Sequence, residues 1–289
     1  MKVKTEKTIQ TTNGAPTMAG IWTTYRRKIM ATMSLLTAER LCAVAVPFVL
    51  GVAINDLIDG SYRGIWLLAG LEIFILVIGT GRRLYDTRVY AGIYTDIADR
   101  VAKRTATSVT KRAARLQLGR ELVDFFEWEL LQLVSAGIGI VGAFVMLVYL
   151  LPTVGAISIG VATVIGIVFV LSKRRMLGLN KLLNNELERQ VTMLEREKEF
   201  SRRMHLGRLA RWRIHLSDLE AMNFAIAELL LAALIIGAVV ITINTGMSVG
   251  EVFAVLTYLI DLAEGMLVLP WTYMQSIRAQ EIGSRIATT

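Results

Sequence analysis

Two acids three residues apart, Asp261 and Glu264, stand in an otherwise apolar run towards the C-terminal end of the sequence. A spacing of three places both on one face of a helix. Like charges that close, in poorly solvating surroundings, each oppose ionisation of the other, so the pair favours holding a proton. A group that loads and releases a proton is what proton-coupled carriage needs. The same pair would attract a cationic solute. Glu228 and Glu72 sit in two further apolar runs. In another, Glu39 precedes Arg40, whose guanidinium can offset one carboxylate. Apart from Arg40, the runs hold no cation to pair these acids. Ionisable groups in such surroundings are rare and tend to face a protein interior or a wet cavity. The alternative is structural: acids lining an inert vestibule, or protonated and hydrogen-bonded between helices.

Other residue patterns point to less. Pro47 and Pro270 fall inside apolar runs, where each removes a helical hydrogen bond and bends the chain, as a hinge or as a fixed kink. Gly137, Gly139 and Gly142 match G-x-G-x-x-G but lie within an apolar helix, without the preceding strand a dinucleotide site requires. Small residues so placed are a helix-packing surface. His205 and His215 lie in a basic stretch with Arg202, Arg203, Arg208, Arg211 and Arg213, without the tight ligand spacing of a metal site. That stretch suits anionic headgroups or a docking partner. The single cysteine, Cys42, excludes an intrachain disulfide. No Ser/His/Asp or Cys/His set falls at a common depth, so an enzyme is not expected, nor a metal or cofactor.

The elements that must carry these acids are set by hydrophobicity. Of 289 residues, 54% are hydrophobic and the mean hydropathy is +0.52, above the level of soluble domains. The excess is clustered: residues 121–172 and 214–277 contain no Lys or Arg. Six runs at about 33–55, 65–81, 130–151, 154–171, 221–244 and 249–273 are long enough to cross a hydrocarbon core. Helices are the open-chain solution there, because lipid cannot satisfy backbone polar groups. The acids then fall at depth: Glu72 mid-second span, Glu228 in the inner part of the fifth, Asp261 and Glu264 in the sixth.

Connections alternate in length and charge. Residues 56–64, 152–153 and 245–248 form short links whose one cation is Arg63. Loops 82–129 and 172–220 are long and basic. Of 32 Lys plus Arg, setting aside Arg63 and Arg40 leaves 30 on one side. By the positive-inside rule, both termini and both long loops face the cytoplasm of a bacterial-type inner membrane. The net charge of +8 is thereby accounted for without nucleic acid. The long loops are helical in pattern: Leu183, Leu187, Val191 and Leu194 form one stripe. The expected fold is an all-α membrane protein with six transmembrane helices, two long cytoplasmic helical extensions and a polar N-terminal segment, 1–32, lacking a cleavable signal, before a transmembrane domain, 33–289.

Two stretches carry a resemblance. Pro47-Phe48-Val49-Leu50-Gly51-Val52-Ala53-Ile54-Asn55-Asp56 looks like the end of the first helix of ABC exporter membrane domains, and Met247-Ser248-Val249-Gly250-Glu251-Val252-Phe253-Ala254 resembles the entry to their last helix. Six helices with small external links and two long helical extensions are similar to the type IV, six-transmembrane arrangement of that family. The resemblance implies a homodimer, since six helices make half of such a pathway, with the fourth and fifth helices crossing to the partner. It also implies coupling segments at the loop tips, near 107–111 and 204–211, that contact an ATPase. The sequence departs from exporters in that no G-x-x-x-x-G-K-[ST] phosphate loop occurs before Thr289, and no nucleotide-binding domain is expected. Exporter-like proteins without an ATPase include ones resembling proton-driven peptide importers. Two readings follow: a transporter of small solutes or peptides, homodimeric and proton-coupled through Asp261, Glu264, Glu228 and Glu72; or the membrane subunit of a split ABC transporter powered by a separate cytoplasmic ATPase. A non-transporting regulator on the same scaffold is a third.

Overall fold

The computed structural model describes the backbone of residues 11–12, 15–16, 18–102, 109–194 and 199–288, and the side chains of 20–99, 116–117, 119–187 and 203–268. After a two-residue antiparallel pair, β1 (Thr11–Thr12) with β2 (Ala15–Pro16), everything described is helix and turn. The helices are α1 (Met18–Ile58), α2 (Arg63–Ala102), α3 (Val109–Asp124), α4 (Leu130–Leu150), α5 (Pro152–Leu194), α6 (Glu199–Asn244) and α7 (Val249–Thr288). A single π-helical turn, Phe125–Glu129, joins α3 to α4 without leaving helical geometry. The six spans thus belong to α1, α2, α4, α5, α6 and α7.

At 1.5 Å per residue, α1, α2, α5, α6 and α7, with 41, 40, 43, 46 and 40 residues, are about 60–70 Å long. That is twice a hydrocarbon core, so the apolar runs continue as helices beyond it. Among the described residues, five helices are long and apolar enough to cross a membrane. The sixth apolar run lies on α7, whose described part carries Glu251, Asp261 and Glu264. Large apolar side chains face outward on the spans, among them Leu76, Val141, Val170 and Leu229. A water-soluble protein would bury such a surface; here lipid covers it. The chain is an all-α, multi-pass membrane protein.

Two short turns run through glycine. Gly60, with φ +77°, ends α1, and Ser61 N–H closes the turn on the Asp56 carbonyl at 2.7 Å. Gly246, with φ +67°, follows α6. Both need the left-handed conformation that glycine adopts without steric cost. Pro152 is the first residue of α5, where its missing N–H costs no helical bond.

The helices form two compact units, residues 1–150 with 246–289, and residues 151–245. The first contains α1 to α4 and α7. Its core at one end is built from Ile21, Tyr25 and Ile29 of α1, Val89, Tyr90, Ile93 and Ile97 of α2, and Leu122, Val123 and Phe126 around the π turn. The four-residue steps along α1 and α2 are the ridges by which two helices interlock. Residues 18–32, set apart as an N-terminal segment on sequence, are therefore the first turns of α1. The second unit is an antiparallel pair, α5 against α6. Ser172 donates to Asn223 Oδ1 at 2.8 Å, and further along α5 Glu186 meets His205 and Arg208. Val154, Ser158 and Ile165 of α5 and Ala227, Leu231, Leu234 and Ala238 of α6 are buried.

Candidate functional site

A cavity of about 800 Å³ lies within the first unit among α1, α2, α4 and α7. Each helix contributes polar groups to a mainly apolar wall: Arg40 from α1, Glu72 from α2, Gln132 and Ser135 from α4, and Thr257, Asp261 and Glu264 from α7. Three acids and one arginine share the space, an excess of negative charge if all ionise. The volume is in the range that holds small organic ligands.

Close helix contacts fix the wall. Gly142 of α4 faces Val44 of α1, and a Cβ there would come within 2.6 Å of both Val44 methyls. Gly265 of α7 faces Ile140 of α4, with 2.7 Å to Cγ1 for an added Cβ. Gly139 has no neighbour in reach of a Cβ and lines the cavity. Of the three glycines read as a packing surface, Gly142 packs and Gly139 opens space. Pro47 also lines the cavity. Its ring disturbs the turn before it, and the Val44 carbonyl in that turn accepts a hydrogen bond from Tyr258 at 2.7 Å.

The expected site residues therefore separate. Asp261, Glu264, Glu72 and Pro47 meet at one cavity, joined by Arg40, whose buried Nε has no hydrogen-bond partner among the described residues. Glu228 belongs to α6 in the second unit, where it is exposed, and is not among the residues lining this cavity. Pro270 lies on α7 outside the residues with described side chains. The loop tip expected at 107–111 lies partly outside the described backbone, and 204–211 is the beginning of α6.

The pairing of acids also differs from the sequence expectation that Arg40 is the one cation available. Glu39 turns away from the cavity and binds Arg82, whose Nε lies 2.5 Å from Glu39 Oε2. Arg82 Nη1 lies 2.6 Å from Asp86 Oδ2. All three side chains are buried, and Gly79 gives the Glu39 carboxylate its room, since a Cβ there would stand 3.0 Å from Oε1. Arg82 was assigned to a loop because the apolar run ends at Gly81; the helix does not end there. In unit two, Glu186 accepts from Arg208 Nε at 2.8 Å and lies 2.9 Å from His205 Nδ1. Glu186 is about 20 Å past the apolar run of α5. Burial works against its charge, but the Arg208 and His205 hydrogen bonds prevail and hold its carboxyl below the ordinary range.

At the opposite end of the first unit, the two stretches that carried the resemblance are in contact. Gly51 of α1 and Gly250 of α7 approach backbone to backbone, with no room for a Cβ on either. Asn55 Oδ1 accepts from Gly250 N–H at 2.8 Å and Asn55 Nδ2 donates to Ser248 Oγ at 2.9 Å. Ser248 begins α7 as a capping box: its N–H and hydroxyl both donate to Glu251 Oε2, at 2.9 and 2.8 Å. The S-x-x-E signal is legible in the sequence; its clasp on Asn55 is not.

Among curated proteins, none matches the sequence. A family of known membrane regions does match: residues 18–250, well over half of the chain and including all of α1 to α6, fit the ABC transporter transmembrane region, and the chain belongs to that family as the membrane component of a transporter.

Proposed function

We propose that the chain works as a homodimer, moving small solutes or peptides through the acidic cavity and coupling that movement to protons. The observation that carries this is the convergence of Glu72, Asp261 and Glu264 with Arg40 in one space of about 800 Å³. Three carboxylates in poorly solvating walls are costly unless they take up protons or cations. A proton held on the Asp261–Glu264 pair while a solute occupies the cavity, and released with the solute on the far side, is a direct means of coupling. Arg40 beside the acids complements a zwitterion: its guanidinium suits a carboxylate and the acids suit an ammonium group. The charge asymmetry of the sequence supports an orientation with the long, basic helix ends in the cytoplasm of a bacterial-type inner membrane. The formation of a separate compact unit by α5 and α6 accords with a dimer in which these helices pass to the partner.

The test is reconstitution into liposomes loaded with a pH-sensitive dye and offered a tripeptide or tetraphenylphosphonium. Uptake should acidify the lumen, and Asp261→Asn or Glu264→Gln should abolish the acidification. Uptake without proton movement, unaffected by both substitutions, would refute the coupling.

A second reading rests on family membership: ATP hydrolysis supplied from outside these 289 residues, which contain no phosphate loop. The helix ends around 204–211 would then transmit the stroke. Purification from native membranes should in that case bring down a stoichiometric ATPase activity, and liposome transport should require ATP.

A further inference from the structure

Pro47 opens a turn of α1 on the cavity wall, and a side chain of α7 fills the opening. Proline has no N–H, so the Ala43 carbonyl loses the donor four residues on, and the ring pushes that turn apart. Ala43, Val44, Val46 and Pro47 all line the cavity, so the opened turn faces it. Tyr258 of α7 donates its hydroxyl to the Val44 carbonyl at 2.7 Å, and the Phe48 N–H donates to the same hydroxyl oxygen. In an unbroken helix that N–H and that carbonyl are each other's partners. One tyrosine oxygen thus serves both ends of a single helical bond. Tyr258 is 1% exposed, and a buried hydroxyl without such partners is destabilising, so its contact with α1 is obligatory. Its neighbour Thr257 satisfies its own hydroxyl within α7, on the Phe253 carbonyl; Tyr258 reaches across.

The same turn is gripped from a third helix. Val44 packs against Gly142 of α4, and the Phe48 ring meets Tyr149 of α4 edge-on, with centroids 6.4 Å apart. Position gives the tyrosine its leverage. The Gly51–Gly250 contact lies about 11 Å from this bond along each helix, so α1 and α7 are tied at two levels. Just beyond the second tie, Arg40 stands one turn from Val44 and Asp261 three residues from Tyr258, both on the cavity. The gap between those two charges is set by where Tyr258 holds α1 against α7.

We propose that Tyr258 is a positioning residue for the solute: its hydroxyl stands in for helical bonding in the turn that Pro47 opens, and so holds α1 at the angle that sets Arg40 against Asp261 and Glu264. Without the hydroxyl, α1 bends freely at Pro47 and the cavity keeps its binding geometry for a smaller share of the time. The apparent affinity for solute falls by that share, while the groups that bind and carry charge are untouched. Pro47 is the reason the hydroxyl is needed. An alanine there returns the turn to its own hydrogen bonds and makes the hydroxyl dispensable. The assignment rests on the reading of the cavity as a solute path, but the bending of α1 can be followed without transport.

The experiment uses the full chain and two readouts: amide hydrogen exchange of the α1 segment 43–49 in nanodiscs, followed by mass spectrometry, and uptake of labelled trialanine by liposomes. Tyr258→Phe, which keeps the ring, should speed exchange in that segment about three- to tenfold, the range of one hydrogen bond. It should raise the half-saturation concentration for uptake by about the same factor and leave the maximal rate within about twofold. In a Pro47→Ala background, Tyr258→Phe should change neither readout. That contrast separates positioning from packing, because a tyrosine that merely fills space would cost the same in both backgrounds. Tyr149→Phe, which removes an exposed hydroxyl from a ring beside the same turn, should behave like wild type. If Tyr258→Phe alone does not fold, the double variant with Pro47→Ala should fold; failure of both would overturn the proposal. Equal effects in both backgrounds, or unchanged exchange in Tyr258→Phe, would also overturn it, as would a loss of maximal rate at unchanged half-saturation. Wild-type protein that takes up no trialanine would count against the transport reading, and the exchange contrast would then decide the positioning of α1 by itself.

Discussion

Replacing Arg82 by methionine is the sharpest test of how the first unit is held together. The arginine bridges Glu39 and Asp86 at 2.5 and 2.6 Å, and the three side chains are only 7–9% exposed. Opposite charges about 4 Å apart attract by about 4 kcal/mol at an effective dielectric near 20. Desolvation consumes most of that attraction, so the intact network adds little net stability. Removing the arginine is another matter, because the desolvation of two carboxylates then goes uncompensated. Breaking a buried pair from one side costs about 3–5 kcal/mol, a large share of a total stability of about 5–15 kcal/mol. With about 2–4 °C per kcal/mol for a chain of this order of size, Arg82→Met should melt about 6–20 °C lower in detergent, followed by tryptophan fluorescence. Adding Glu39→Gln and Asp86→Asn removes the stranded charges and should restore most of the loss. A drop of about 1 kcal/mol or less, the range of exposed pairs, would show that water reaches the network and would refute this reasoning.

Other outcomes follow from the same geometry. Gly250→Ala drives a methyl into the Gly51 carbonyl and strains the Asn55 bond to Gly250 N–H; it should cost about 1–3 kcal/mol. Gly207→Ala, with nothing within reach of its Cβ, should stabilise α6 by about 0.5–1 kcal/mol; thermal melts of both variants check the contrast. The Glu186 carboxyl is held below its ordinary range in the folded protein. Its contribution is therefore present above the unfolded value of about 4.3 and lost as pH falls through the lower folded value. The acid limb of a melting-temperature profile should flatten in Glu186→Gln relative to wild type; identical limbs would contradict the pairing with Arg208 and His205.

Much of the fold was legible because lipid leaves so few solutions. Apolar runs near 20 residues, short links with Arg63 as their one cation and long basic loops determine six helices and their alternation. The helical extensions followed from the stripe at Leu183, Leu187, Val191 and Leu194. The cavity was legible in part. Asp261 and Glu264 share a face because a helix requires it, but the arrival of Glu72 and Arg40 opposite them depends on how α1, α2 and α7 rotate about their axes, which hydrophobicity all round a helix does not specify. Glu228 was equally prominent in sequence and belongs to α6 in the second unit. Arg82 was hidden by a boundary drawn where hydropathy falls, although the helix continues through it.

The central claim is that Asp261, Glu264 and Glu72 face a water-accessible solute route. Cys42 is the single cysteine, so a Cys42→Ser background with Thr257→Cys places one thiol on the cavity wall. Its rates of modification by a membrane-impermeant cationic methanethiosulfonate and by the anionic counterpart can be compared directly. An acidic aqueous cavity should favour the cationic reagent by about tenfold or more, with the preference reduced by Asp261→Asn and Glu264→Gln. A thiol that reacts with neither reagent, or with both at equal rates whatever the acids, would contradict it.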